Sequence, residues 1–323
     1  MASNRSAALV RPAGEARPVH QYYAFALLVA FLLVAPSFMY PVFLMNVLCF
    51  ALFACAFNLL IGYVGLLSFG HAAFLGTGGY VCAHAAKVWG LPPELAILTG
   101  TAAATLLGLV FGLIAIRRQG IYFAMITLAL AQMVYFYALQ APWTGGEDGI
   151  QAVPQGMMFG VIDLRQPLAL YAVVLAIFLA GFLLIYRAIH SPFGQILKAI
   201  RENEPRALSL GYKPDQYKLM AFVLSAVLSG LAGSTKAIVF QLASLTDVHW
   251  GMSGEVVLMT LLGGLGTVFG PVVGAFVIVA MQNYLAQIGS WVVVAQGAIF
   301  VICVLTFRRG LVGEIGRALK KPL

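Results

Sequence analysis

Three ionisable side chains stand inside otherwise apolar stretches of this chain: His71, Lys236 and Glu255. Such groups are costly at membrane depth and usually face a protein interior or a watery cavity. Two readings fit His71: a neutral, hydrogen-bonded packing histidine, or a group beside a gate. Lys236 and Glu255 fall near the facing ends of neighbouring apolar segments. There they can pair with each other or meet the charged groups of a substrate. Covalent chemistry fits poorly, because the Asp, Glu and His residues are scattered singly rather than clustered into an acid–base pair or triad. Cys49, Cys55, Cys82 and Cys303 lie in apolar runs without a CxxC pair and read as small buried thiols. No GxxxxGK[ST] run is present to cradle a nucleotide. The expectation is a chain that binds no metal or cofactor and receives any ATP energy through a partner.

The elements that position these residues are membrane spans. The chain is 62% hydrophobic and 9% charged, against about 25% charged in a soluble domain. Neither an acid nor a base (Asp, Glu, Lys, Arg) occurs between Arg17 and Lys87, or between Glu255 and Arg308. A spanning helix needs about 20 apolar residues. The pattern predicts an all-α polytopic membrane protein of about ten transmembrane or partly re-entrant helices, over 22–42, 43–61, 66–86, 92–116, 121–140, 168–186, 217–240, 253–265, 271–288 and 291–307. The third and eighth are glycine-rich and are candidates for broken or re-entrant segments, which survive only under a cover of protein or water. Residues 1–20 read as a disordered cytoplasmic tail, 21–310 as the membrane domain, and 311–323 as a basic cytoplasmic tail.

Lys and Arg favour the cytoplasmic side. With the N-terminus inside and ten spans, sixteen of the nineteen Lys and Arg residues fall on the inner side, and both termini are cytoplasmic. The remaining Lys87, Arg165 and Lys236 fall on the outer side or within the membrane. The basic residues therefore mark helix ends rather than one nucleic-acid surface, and nucleic acid is excluded as a partner. Membrane lipid is the expected surroundings.

Two polar stretches are long. One, 141–167, is an outer loop; its Glu147 and Asp148 either are simply solvated or meet an external protein. The other, 187–216, is cytoplasmic. Within it Asn203 suits an N-cap, Glu204 and Pro205 a first turn, and Gly211 the C′ position. These predict a capped helix of about two turns outside the bilayer, with Ala207, Leu208 and Leu210 available for docking. Such a helix presents either a partner surface or an anchor to anionic headgroups. Small residues at four-residue spacing, including Gly266, Gly270 and Gly274, allow close helix packing. That packing is either static or permits sliding between two states.

Four runs resemble the LivM-type permeases of branched-chain amino-acid ABC transporters. They are NLLIGYVGLLSFGHAAFLGTGGY at 58–80, TGGEDGI at 144–150, KAIRENE at 198–204 continuing to Gly211, and GGLGTVFGPVVGA at 263–275. The resemblance covers nearly the whole chain, in order. It implies a permease subunit that moves leucine, isoleucine or valine across the inner membrane by alternating access. It implies a LivH-type permease partner, two cytoplasmic ATPases that carry ATP and magnesium, and a periplasmic binding protein. It also implies that 187–216 is a coupling loop in which Arg201, Glu202, Asn203, Glu204, Ala207 and Gly211 meet an ATPase. Gly65, Gly70, His71, Gly263, Gly264, Gly266 and Gly270 would then serve the path or its packing. Pro205 departs from many relatives, which bears on how the helix starts. Related permeases carry urea, short amides or other small amino acids, and a carrier acting alone would need none of these partners.

Overall fold

In a computed structural model, residues 19–285 are described, followed by 294, 297–298, 300–301, 305–306 and 310–318. The expected tails, apart from Val19, His20 and 311–318, lie outside the described residues. So do most of the span expected over 291–307 and Cys303.

The order is α1 (Val19–Val34), α2 (Pro41–Asn58, continued by a π turn Leu59–Val64), α3 (His71–Lys87), α4 (Pro93–Ala115), α5 (Ile121–Gln140), β1 (Ile150–Gln151), β2 (Met157–Met158), β3 (Ile162–Asp163), α6 (Pro167–Ile189), α7 (Pro192–Glu202), α8 (Glu204–Ser209), α9 (Pro214–Phe240), β4 (Leu242–Ala243), α10 (Trp250–Gly263), α11 (Gly270–Leu285) and α12 (Gly310–Ala318). Proline opens α2, α4, α6, α7 and α9. Its fixed φ suits a first turn, where a backbone N–H would have no helical partner anyway. Among the described residues, five helices are long and apolar enough to cross a membrane: Pro41–Val64, Pro93–Ala115, Ile121–Gln140, Pro167–Ile189 and Pro214–Phe240.

The shorter elements correct the expected spans. The third begins only at His71, because residues 65–68 are not helical. The eighth, α10, has 14 residues. At about 1.5 Å per residue it reaches only ~21 Å, short of a hydrocarbon core of about 30 Å. The outer loop holds two small antiparallel pairs, β1 with β4 and β2 with β3. Two-residue strands carry no periodic signal, so the sequence does not announce them.

α2 is the centre of the bundle and is buried almost all round, with α6, α9, α10 and α11 against it. Its own Leu48, Leu52, Phe53 and Phe57 are fully buried against these neighbours. By contrast α4 and α5 present Leu98, Leu106, Leu113, Met125, Met133 and Phe136 outward. An apolar face of that extent requires lipid or another membrane chain.

α3, α4 and α9 form the tightest group, and small residues make it possible. A Cβ on Gly78 would stand 2.5 Å from the Gly230 carbonyl oxygen and 2.8 Å from its Cα. Backbone cannot retreat as a side-chain tip can. Gly78→Val should therefore destabilise the chain by about 3 kcal/mol. Gly254→Ala, with open space around its Cβ, should be neutral or slightly stabilising. Thermal midpoints of the detergent-solubilised chain check both; equal midpoints would contradict the packing argument.

Candidate functional site

At one end of the bundle, α7 and α8 form a compact module. α7 has one apolar side, Gly194, Leu197 and Ile200, which is buried. The loop reading of 187–216 thus missed a helix, although Pro192 and this three-residue apolar spacing were visible signals. α8 has the expected caps. Asn203 Oδ1 accepts from the Arg206 N–H at 3.0 Å. At the other end the Gly211 N–H donates to the Leu208 carbonyl at 2.9 Å and the Tyr212 N–H to the Ala207 carbonyl at 3.2 Å. These two bonds make a Schellman closure, with Gly211 at φ 87°. One expectation needs correction: Ala207 is buried against its own chain, so only Leu208 and Leu210 of the three apolar residues face outward. Glu202 and Arg206 flank them on the exposed surface.

The module is clamped to the bundle by charged side chains. Glu204 accepts from Lys218 Nζ of α9 at 2.6 Å and from Gln119 Nε2, between α4 and α5, at 2.9 Å. Lys198 Nζ lies 5.7 Å from the centre of the Tyr63 ring, a cation–π distance. The Arg201 guanidinium donates to the Gly62 carbonyl. Its stem passes over Gly65, where a Cβ would meet it at 3.1 Å. Gly65 also holds φ 83°, which only glycine adopts at little cost. α7 therefore grips the π turn that ends α2.

Asn58, the last α2 residue before that turn, is bonded to the loop between α10 and α11. Asn58 Nδ2 donates to the Thr267 carbonyl at 2.9 Å, and Asn58 Oδ1 accepts from the Gly266 N–H at 3.0 Å. Thr267 Oγ donates to the Gly264 carbonyl at 2.8 Å and accepts from the Gly270 N–H at 3.1 Å. Gly264 and Gly266 have positive φ, and Gly263 and Gly270 touch each other's backbone. A second break precedes α3. There Phe69 N–H donates to Thr127 Oγ at 3.2 Å, Gly70 N–H to Ser68 Oγ at 3.1 Å, Ala72 N–H to Ser253 Oγ at 2.9 Å, and Ser253 Oγ to the Phe69 carbonyl at 2.8 Å. Gly65 and Gly70 thus belong to one break, and Gly263, Gly264, Gly266 and Gly270 to the other.

His71 sits at the start of α3, fully buried. Phe57, Phe74 and Phe222 meet its ring edge to face. Its Nε2 is 2.8 Å from Ser225 Oγ. Ser225 donates its one proton to the Ala56 carbonyl at 2.6 Å, so Nε2 must be the protonated nitrogen. The His71 Nδ1 is buried with no hydrogen-bond partner among the described residues.

At the opposite end, Lys236 forms its ion pair with Asp247. The expected pair with Glu255 is not made; Glu255 Oε2 instead accepts from Gln282 Nε2 of α11 at 2.9 Å. The reason lies in the chain path. α9 ends at Gln241, which has φ 53°, and β4 turns back onto β1, so the short turn Leu245–Asp247 returns to Lys236. The short spacing of Lys236 and Asp247 across a helix end was the missed signal. Asn46, Phe50, Lys236, Asp247, Glu255 and Gln282 together border a cavity of about 400 Å³. Glu147 and Asp148 are exposed on the loop at this end.

Comparison with known proteins now adds to the geometry. Residues 40–304 match the model of the branched-chain amino acid transport system / permease component family. The chain belongs to that family. Within this permease family it is 26% identical over 277 residues to the high-affinity branched-chain amino acid transport system permease protein LivM of Escherichia coli, covering 79% of this chain and 65% of that one. It is 27% identical over 320 residues to the ribose import permease RbsC of Bacillus subtilis, covering 88% and 90%. It is 26% identical over 186 residues to the autoinducer 2 import permease LsrC of Klebsiella pneumoniae, covering 53% and 51%. The match thus spans about two-thirds of LivM's length, just under that share. No solved structure matches the chain.

Family membership agrees with the fold: a polytopic helical membrane protein whose helix breaks are held by side chains. Asn58 is the residue on which one break turns. Asn58→Leu removes both bonds and leaves the Gly266 N–H and Thr267 carbonyl without partners. At roughly 1–3 kcal/mol for each orphaned group, the thermal midpoint of the solubilised permease should fall clearly. An unchanged midpoint would mean that the α10–α11 loop does not depend on this residue.

Proposed function

We propose that this permease is the transmembrane subunit of an ATP-driven importer that carries leucine, isoleucine or valine across the bacterial inner membrane by alternating access. On this reading its partners are a second, LivH-type permease, two cytoplasmic ATPases that hold ATP and magnesium, and a periplasmic binding protein. The chain itself performs no covalent step and binds no cofactor. Both termini and the α7–α8 module lie in the cytoplasm, consistent with the Lys and Arg pattern. Arg201, Glu202, Asn203, Glu204, Ala207 and Gly211 then serve coupling in different ways. Glu202 lies on the outward face, Asn203 and Gly211 cap α8, Ala207 packs it inward, and Glu204 and Arg201 tie the module to the bundle.

The observation that carries the reading is this tie. An exposed two-helix module is bonded to the end of α2, and that helix end in turn holds the α10–α11 loop: Arg201 reaches the Gly62 carbonyl, and Asn58, four residues earlier, bonds Gly266 and Thr267. A push on the module thereby acts on a helix break rather than on a continuous helix. The match to a LivM protein supports the amino-acid substrate. The longer match to a ribose permease supports a second reading, import of a neutral polyol. The ion-paired cavity favours the first, because a polyol has no charge to set against Lys236 or Glu255.

The test is uptake into vesicles by the full assembly. Wild type should accumulate leucine only with ATP and with the partner subunits. Arg201→Ala should lower uptake about tenfold, within the usual range of coupling energies, while ATP hydrolysis continues. Leucine uptake by this chain alone, without ATP, would sink the importer reading. Full uptake by the Arg201 variant would sink the coupling role.

A further inference from the structure

The cavity at the end opposite α7–α8 has the chemistry of a site for a free α-amino acid. Its volume of about 400 Å³ falls in the range of small-molecule pockets, roughly 300–1,000 Å³. Charged groups of both signs face it. Lys236 spends one of its three donors on Asp247, and its Nζ lies 4.8 Å from the centre of the Phe50 ring. Glu255 is held by Gln282 through one carboxylate oxygen only. Asn46 Oδ1 is buried and has no hydrogen-bond partner among the described residues. It stands one turn before Phe50 on the same face of α2. Phe50, Phe240 and Met252 supply apolar walls.

We propose that this cavity binds the amino-acid zwitterion on its way through the permease. The α-carboxylate takes the free donors of Lys236. The α-ammonium takes Glu255 and the unpartnered Asn46 carbonyl. The aliphatic side chain lies against Phe50, Phe240 and Met252. The resulting order of charges alternates: Glu255, ammonium, carboxylate, Lys236, Asp247. A zwitterion leaves the net charge of the site unchanged; an acid alone adds a carboxylate and leaves Glu255 without a cation, and an amine alone pairs Glu255 but leaves the free donors of Lys236 unused. Ribose offers no charge at all. The proposal rests on the amino-acid importer reading and assigns it a binding site.

Two measurements separate the site from that reading. The first is ATP-dependent leucine uptake by the complete assembly, as above. The second is binding of L-leucine to the full-length chain in lipid nanodiscs, by saturation-transfer NMR, with 4-methylpentanoate, isoamylamine and D-ribose as competitors. Leucine should bind, and each of the three competitors should need at least tenfold higher concentration to displace it. Glu255→Gln, which retains an amide able to bond Gln282, should weaken leucine binding about tenfold. The double variant Lys236→Met with Asp247→Asn should do the same. Asn46→Leu should weaken binding several-fold without lowering the thermal midpoint, because it removes an acceptor that has no partner; a merely structural residue would not separate the two. If the assembly imports leucine but the chain binds none, or all three variants bind it within twofold of wild type, the site assignment falls and the importer stands. If the assembly imports ribose and not leucine, the importer reading falls and the site with it.

Discussion

In hydrocarbon, a backbone N–H or C=O that leaves its helix must find a partner within the protein. Among the described residues, the chain leaves helical geometry at two places covered by other helices: between α2 and α3, and between α10 and α11. Asn58, Ser68, Thr127, Ser253 and Thr267 accept or donate the bonds that the helices no longer supply. Asn58 and Ser253 each come from a different segment than the backbone they serve. The breaks are thus stitched to the bundle across long stretches of sequence. They are defined joints, not frayed ends.

A joint held by a few side-chain bonds is easier to rearrange than a packed helix core. α2 joins the two kinds of structure. Its first part is buried all round by large apolar side chains, and its last turn widens to the π form and offers the Gly62 carbonyl to Arg201. The bond from α7 falls on this last turn, at the Gly62 carbonyl. Glu204 anchors the same module to α9 and to Gln119. The module is therefore tied both to α9 and to the π turn that ends α2.

Local chemistry was legible in the sequence, and tertiary chemistry was not. The bounds of α4 and α5 followed from the apolar runs and the prolines and glycines beside them. The caps of α8 followed from Asn203 and Gly211, since a cap bond spans only three or four residues. The broken character of the third and eighth segments followed from glycine density. What failed needed distance information. Lys236 chose Asp247 over Glu255 because the left-handed turn at Gln241 and the β1–β4 pairing bring the chain back. Ala207 turned inward because α7 lies beneath α8, a helix that the loop reading passed over despite Pro192 and its apolar spacing. No local pattern marks the π turn, whose extra residue is accommodated by contacts with α7 and α9.

α9 shows how the two ends of the molecule belong together. Lys218 and Lys236 are eighteen residues apart, which is five helical turns, so they leave the same face of the rod about 27 Å apart. Each is in an ion pair, one with Glu204 of α8 and the other with Asp247 at the cavity. Between them, on that same face, Ser225 holds both His71 of α3 and the Ala56 carbonyl of α2. One polar stripe therefore runs from the exposed module, past the start of α3, to the charged cavity. The opposite face of this 27-residue helix is bonded too, where Ser234 Oγ donates to the Gly78 carbonyl, so on the alternating-access reading a tilt imposed at Lys218 is carried along α9 toward Lys236. The ion pair at the cavity is then the place where that tilt changes the spacing of charges, and with it the affinity for whatever the charges hold.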